Sequence, residues 1–126
     1  MNDLEYIRAN LPQEEQLAQL AEEATELAQA ALKYRRALDG TNPARIGSDG
    51  AYADLLGEVA DVELSLLALG IPRGKDESDF ICRVMAEKMI RWRQSLAAAS
   101  QKQSKENTHE EKKNDQIADV TGHPAE

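Results

Sequence analysis

Four acidic residues fall into two pairs of equal spacing, and they are the residues of this sequence best suited to chemistry. Glu23 and Glu26 are three residues apart, and so are Glu58 and Asp61. The second pair follows the first at a constant offset, from 23 to 58 and from 26 to 61. Residues three apart on an α-helix share one face, about one turn from each other. If both segments are helical, each presents a pair of carboxylates.

Converging carboxylates predict a divalent cation. Like charges that are brought together repel one another, and burial raises the cost further unless a cation neutralises them. Ligand sets made of oxygen alone are typical of Mg²⁺, Mn²⁺ or Ca²⁺ and not of zinc. Both histidines, His109 and His123, lie near the C-terminus, which argues against a di-iron site built on Glu-x-x-His. We predict a Mg²⁺ site that also accepts Mn²⁺; the alternative is that these acids are solvated helix surfaces.

An all-α fold is expected to position the two pairs. Aromatic residues make up only 4% of the chain, and good helix formers dominate. Helical spacing predicts a first helix from Gln13 to about Leu38 and a second from about Ala51 to Leu69. A third helix is predicted from a cap at Asp76 or Ser78 to about Ala99. The loop after the first helix is rich in turn formers.

Three main helices leave one side of a core open. We therefore predict a four-helix-bundle-type core completed by dimerisation, as a homodimer or a dimer of dimers. Residues 1–99 are predicted to form this domain. Residues 100–126 contain almost no apolar side chains, and we predict a disordered polar tail there.

Charge and composition exclude several other classes of function. A net charge of −8 disfavours generic nucleic-acid binding. The longest apolar stretch, residues 64–71, is far shorter than the ~20 residues that span a bilayer, so no membrane partner is expected. Cys82 is the single cysteine and cannot form an intrachain disulfide, and residues 1–12 do not have a signal-peptide pattern. A cytoplasmic location is predicted.

Lys88 falls inside the apolar stripe of the predicted third helix, with Arg91 one turn further. Lys88 either pairs with an acid such as Glu63 or, together with Arg91, binds phosphate oxygens. Other cations near the end of the first helix are expected to complement its dipole and are weaker phosphate candidates. These are Lys33, Arg35 and Arg36.

Together these residues resemble the MazG-like, all-α nucleoside triphosphate pyrophosphohydrolases. That family carries Glu-Glu-x-x-Glu on one helix and Glu-x-x-Asp on a later one, as in Glu22-Glu23-x-x-Glu26 and Glu58-x-x-Asp61 of this sequence. The likeness covers roughly residues 13–93, including the Asp-Gly-Thr-Asn-Pro loop.

The resemblance implies Mg²⁺-dependent hydrolysis of (deoxy)nucleoside triphosphates to the monophosphate and pyrophosphate, for housecleaning or control of the nucleotide pool. It implies the metal ligands Glu23, Glu26, Glu58 and Asp61. Glu22 and Glu26 are the predicted catalytic acids, and Lys88 and Arg91 the predicted phosphate-binding residues. Two alternatives stay open: an enzyme similar to phosphoribosyl-ATP pyrophosphohydrolase, and a non-enzymatic helical interaction module.

Overall fold

The structure is a computed structural model that describes residues 1–41 and 47–120. This part of the chain contains four α-helices and no β-strand, so the predicted all-α class is confirmed. The helices are α1 (Asp3–Asn10), α2 (Gln13–Asp39), α3 (Ser48–Leu69) and α4 (Gly74–Val120). Of the predicted turn-rich loop, Asn42 and Pro43 lie outside the described residues.

The chain divides into two compact units, Met1–Ser78 and Asp79–Glu126. The first unit holds α1, α2, α3 and the beginning of α4, and the second holds the remainder of α4. All four predicted metal ligands belong to the first unit. The predicted division into residues 1–99 and 100–126 stays a prediction.

A proline precedes α2, and a glycine ends each of the two acidic helices. α2 begins directly after Pro12, whose φ of −56° suits the first turn of a helix. It ends at Gly40, which has a φ of 70° and donates its N–H to the carbonyl of Arg36. α3 ends in the same way at Gly70, with a φ of 69°. This left-handed conformation is favourable for glycine and costly for other residues.

Helix α1 was not predicted, so the described residues form four helices where three were expected. Asn2 and Glu5 form a capping box at its start: each side chain accepts the backbone N–H of the other residue at 2.9 Å. From the other end, Arg8 donates to the carbonyls of Leu67 and Ala68 in the last turn of α3. A cation there complements the negative end of the α3 dipole, so α1 caps α3.

Helix α4 is longer than expected, because it continues past Ala99 to Val120, where a disordered tail was predicted. Lysine, glutamate, glutamine and alanine in this stretch have high helix propensity. Local side-chain hydrogen bonds also form, from Ser104 to the carbonyl of Ser100 and from Thr108 to that of Ser104. All residues from 100 to 119 are exposed, so helical propensity and local bonds, not packing, account for this segment.

Small side chains make up most of the buried interior of the first unit. Ala30 on α2, and Ala51 and Leu69 on α3, are buried, and no large side chain among the described residues is fully buried. Large apolar side chains of α4 are more than half exposed, among them Met85, Ile90, Trp92 and Leu96. None of the described helices has the length and apolarity needed to cross a membrane.

Replacing Arg8 by methionine should lower the free energy of unfolding by about 1 kcal/mol, because it removes the cation at the C-terminus of α3. Urea unfolding followed by far-UV circular dichroism measures this change. The control is Arg93→Met on the exposed surface of α4, expected to stay within about 0.5 kcal/mol of wild type. Equal stability of the two variants would contradict the capping role of Arg8.

Candidate metal centre

The candidate site lies between α2 and α3, which run antiparallel. Residues early in α2 meet residues late in α3: Gln19 and Leu64 line one cavity. Residues late in α2 meet residues early in α3: the ammonium of Lys33 lies 3.2 Å from a carboxylate oxygen of Asp54. The predicted acid pairs occupy the middle of both helices, so the antiparallel packing brings them face to face.

Three of the four predicted ligands come together. One carboxylate oxygen each of Glu23, Glu26 and Glu58 lies within 4.8 Å of the others. Asp61 lies beside this cluster and lines the cavities on both sides of it, one shared with Glu26 and one with Glu23. Its assignment as a fourth ligand stays a prediction. We call Glu23, Glu26 and Glu58 the carboxylate cluster.

Glu58 is the member of the cluster with a buried, unpaired carboxylate oxygen among the described residues. Its Oε2 atom is buried and has no hydrogen-bond partner in the described part of the chain. Burial of the carboxylate raises the pKa of Glu58 above the ordinary value of 4.5, and neighbouring negative charges raise it further. In order of effect these neighbours are Glu26, Asp61, Glu23 and Asp54. The burial of this unpaired oxygen therefore costs folding free energy, and a hydrogen bond or a bound cation would remove that cost.

The three carboxylate oxygens of the cluster lie within 4.8 Å of one another, close to the spacing of oxygens around a small divalent cation. Two oxygens on opposite sides of one Mg²⁺ ion lie about 4.2 Å apart, twice the Mg²⁺–oxygen distance. Small side-chain rotations would bring the three oxygens into this range. The amide of Gln19 donates to Oε1 of Glu23, which holds that carboxylate on the cluster side of α2. Support of this kind from a neighbouring side chain is usual for metal ligands.

The remaining predicted site residues are outside the carboxylate cluster. Glu22 is exposed on α2, next to Glu23 in sequence. Lys88 and Arg91 are exposed on α4 and belong to the second compact unit. Their roles in proton transfer and phosphate binding stay predictions.

An open groove of about 730 Å³ extends from the carboxylate cluster along α2 and α3. Glu26, Glu58 and Asp61 line its acidic end. Asp54, Lys33 and Arg36 also line it. From the sequence, Lys33 and Arg36 were only weaker phosphate candidates, and Asp54 was not assigned to the site. The sequence did contain a signal for Asp54, because it precedes Glu58 by four residues and so lies one turn away on the same helix face.

Gly57 forms part of the groove wall in the interior of α3. A glycine inside a helix costs about 1 kcal/mol relative to alanine. A Cβ atom at this position would meet nothing within 4 Å, so packing does not require the glycine. Because glycine has no side chain, the groove is open beside Glu58.

A second cavity, of about 310 Å³, lies on the other side of the cluster. Glu23 and Asp61 form its acidic edge, and its walls are largely apolar, with Ile7, Leu11 and Leu64 among them. The buried amide of Gln16 also lines it and donates to the carbonyl of Leu11 at 2.6 Å. The carboxylate cluster therefore lies between a groove lined by charged side chains and a cavity lined mainly by apolar ones.

The chain matches no protein-family model, no curated protein and no solved structure. Any assignment of function therefore depends on the residue pattern and on the geometry of α2 and α3.

Glu58→Gln should raise the melting temperature of the protein without divalent cations, because it removes one charge from a repelling group. Saturating Mg²⁺ should raise the melting temperature of wild type by on the order of 5 °C and that of the variant by much less. Differential scanning fluorimetry with Mg²⁺ and with EDTA tests both effects. The control is Glu63→Gln, an exposed acid on the same helix, which should respond to Mg²⁺ like wild type. A Mg²⁺ response of Glu58→Gln equal to that of wild type would remove Glu58 from the site.

Mg²⁺ affinity should begin to fall at a higher pH than ordinary glutamates would cause, because a protonated carboxyl cannot serve as a ligand and the pKa of Glu58 is raised. Below that pKa the affinity should drop about tenfold per pH unit. The metal-free protein should behave in the opposite sense. Its folded state holds the Glu58 proton more tightly than the unfolded state, so stability decreases as pH rises from 4.5 through the raised pKa.

Calorimetric titration of Mg²⁺ and urea unfolding in EDTA, each across this pH range, measure the two trends. Glu58→Gln should flatten the stability trend. A wild-type Mg²⁺ affinity that is constant down to the ordinary glutamate pKa would contradict the role of Glu58.

Proposed function

We propose that this protein is a Mg²⁺-dependent nucleoside triphosphate pyrophosphohydrolase, which converts (deoxy)nucleoside triphosphates to the monophosphate and pyrophosphate. The observation that carries the proposal is the carboxylate cluster, in which Glu58 Oε2 is buried without a hydrogen-bond partner among the described residues. Acids that are brought together in this way fit a cation better than they fit a solvated surface.

The sequence pattern supports a specific reaction for the proposed metal site. The order Glu22-Glu23-x-x-Glu26 followed by Glu58-x-x-Asp61 resembles the MazG-like enzymes, whose substrates are nucleotides. An open groove beside the cluster has room for an extended ligand. The all-α class and the antiparallel pairing of the two acidic helices agree with that resemblance.

The residues of the chain would share the work as follows. Glu23, Glu26, Glu58 and Asp61 would hold Mg²⁺, which supplies neutralisation of phosphate charge and activation of water when it is bound. A water oxygen attacks one phosphorus of the α–β anhydride, and Glu22 or Glu26 accepts the proton of that water. The bond from that phosphorus to the bridging oxygen breaks, so that the monophosphate and pyrophosphate separate. Hydrolysis of this bond demands positioning and charge stabilisation more than covalent chemistry, which suits a site made of carboxylates and cations. Lys88 and Arg91 are proposed to contact phosphate oxygens.

Release of pyrophosphate and monophosphate from a panel of ribo- and deoxynucleoside triphosphates tests the proposal. Wild type with Mg²⁺, and more weakly with Mn²⁺, should be active, and EDTA should abolish turnover. Glu58→Gln should lose more than about 100-fold in kcat/KM, because changes to the outer partners of a metal already cost about 10- to 100-fold. The control Glu63→Gln should retain wild-type activity.

Two outcomes would overturn this proposal. Turnover of phosphoribosyl-ATP alone would keep the reaction type but replace the substrate. Absence of turnover with every nucleotide, together with no effect of Mg²⁺ on stability, would favour a non-enzymatic interaction module.

We also propose that the protein is a homodimer or a dimer of dimers. Support comes from the lack of any fully buried large side chain among the described residues and from the exposed apolar residues of α4, such as Met85 and Trp92. Exposed apolar area of this kind marks an interaction surface. Light scattering coupled to size-exclusion chromatography should give at least twice the chain mass of 13.9 kDa. A monomer would contradict the proposal, and Trp92→Glu should shift the equilibrium towards monomer.

A further inference from the structure

The groove between α2 and α3 has the carboxylate cluster at one end, and its cations, together with Asp54, lie further along. The acids of the carboxylate cluster lie at one end, while Lys33 and Arg36 line the wall further along α2. Lys33 follows Glu26 by seven residues, which is two helical turns, so it lies on the same face about 10 Å further along the axis. Cations are therefore aligned with the acids in one continuous groove.

Lys33 and Arg36 line the groove, whereas Arg35 does not. Arg35 lies between Lys33 and Arg36, yet it is not among the residues that line the groove. A general role in complementing the α2 dipole would apply to all three residues alike. The selective placement of Lys33 and Arg36 indicates an additional role inside the groove.

Lys33 is held in place by an ion pair that a stronger anion can replace. Its ammonium lies 3.2 Å from Asp54 Oδ2, and both side chains are half-exposed, at 42% and 49%. Ion pairs this exposed contribute little to stability. A multiply charged phosphate group offers more acceptor oxygens and more charge than one carboxylate, so exchange of partners is favourable.

The two ends of the carboxylate cluster are not equivalent for an anion. The cavity on the Glu23 side has largely apolar walls, which include Ile7 and Leu64, and such walls provide no counter-charge for phosphate. The groove on the Glu26 side provides two cations. A substrate whose α–β anhydride bond lies at the cluster would therefore direct its terminal phosphates towards Lys33 and Arg36.

We propose that Lys33 and Arg36 bind the β and γ phosphates of the substrate, and therefore also the pyrophosphate product. In the absence of these phosphates, Asp54 forms an ion pair with Lys33. This inference rests on the proposed pyrophosphohydrolase function. It assigns the leaving group to the groove end of the site and makes Lys33 and Arg36 binding residues. Gly57, which has no side chain to project into the groove, leaves the path between the cluster and the cations open.

Calorimetric titration of inorganic pyrophosphate into the full-length protein with Mg²⁺ tests the inference without requiring turnover. Lys33→Gln and Arg36→Gln should each weaken pyrophosphate binding about tenfold, as expected for loss of a hydrogen bond to a charged group. The matched control is Arg35→Gln, which removes the same charge from the same helix and should bind pyrophosphate within about twofold of wild type. Lys33→Arg should restore most of the affinity, because it retains the charge.

Asp54→Asn separates a binding role of Lys33 from a structural one. If the ion pair serves only to join α2 and α3, Lys33→Gln and Asp54→Asn should change pyrophosphate binding in the same direction. The proposal requires opposite directions, with tighter binding by Asp54→Asn, because the competing carboxylate charge is lost. Circular dichroism of each variant checks that the helices are intact, and Arg36→Gln decides the matter if Lys33→Gln does not fold.

The same variants in the hydrolysis assay keep the two proposals distinguishable. Product inhibition should become weaker for pyrophosphate in Lys33→Gln and Arg36→Gln while inhibition by the monophosphate stays unchanged. Wild-type turnover combined with unaltered pyrophosphate binding by these variants would overturn the role of Lys33 and Arg36 and leave the enzyme assignment intact. If wild type hydrolyses no nucleotide, the enzyme assignment fails. The pyrophosphate titration still tests the binding role of Lys33 and Arg36, because failure of wild type to bind pyrophosphate would overturn this inference as well.

Discussion

Repulsion among acids at the contact between α2 and α3 is the physical constraint around which the first compact unit is organised. Glu23, Glu26 and Glu58 share a space of a few ångströms, and Glu58 is partly withdrawn from water as well. Burying like charges opposes folding, so the two helices need other interactions to stay together. A helix contact that depended on these acids alone would separate.

Small buried residues and the Arg8 cap on α3 supply the main opposing interactions. Ala30 and Ala51 are buried, and side chains of this size allow the backbones of two helices to approach closely. Arg8 secures the C-terminus of α3, and Lys33 pairs with Asp54 near its beginning. The acids are thereby held by contacts on either side of them along α3. Such pre-organisation reduces the rearrangement needed when a cation binds.

The parts of this structure that were predictable are those encoded in local patterns. Pro12, Gly40 and Gly70 mark helix ends through backbone constraints that need no tertiary information. The repeated three-residue spacing of acids included Glu23, Glu26 and Glu58, which lie together, while the assignment of metal ligands, Asp61 among them, stays a prediction. The capping box of Asn2 and Glu5 was an equally local signal, but α1 has only eight residues, and a helix this short was not predicted.

Other features depend on contacts that no local pattern contains. The pairing of Lys33 with Asp54 joins residues on different helices, and the sequence shows the charges without showing the register that brings them together. The helical state of residues 100–119 is a different case. Their composition suits an exposed helix and a disordered chain almost equally, and no buried face distinguishes the two.

The confinement of the acids and the groove cations to a single helical hairpin has a consequence for biosynthesis. Every one of these residues precedes Gly70, so all of them leave the ribosome before α4 does. Closing a loop between neighbouring helices is entropically inexpensive, and contacts that are near in sequence form quickly. Because chains emerge from the ribosome with the N-terminus first, a cation that binds the cluster would select the correct hairpin register on the nascent chain.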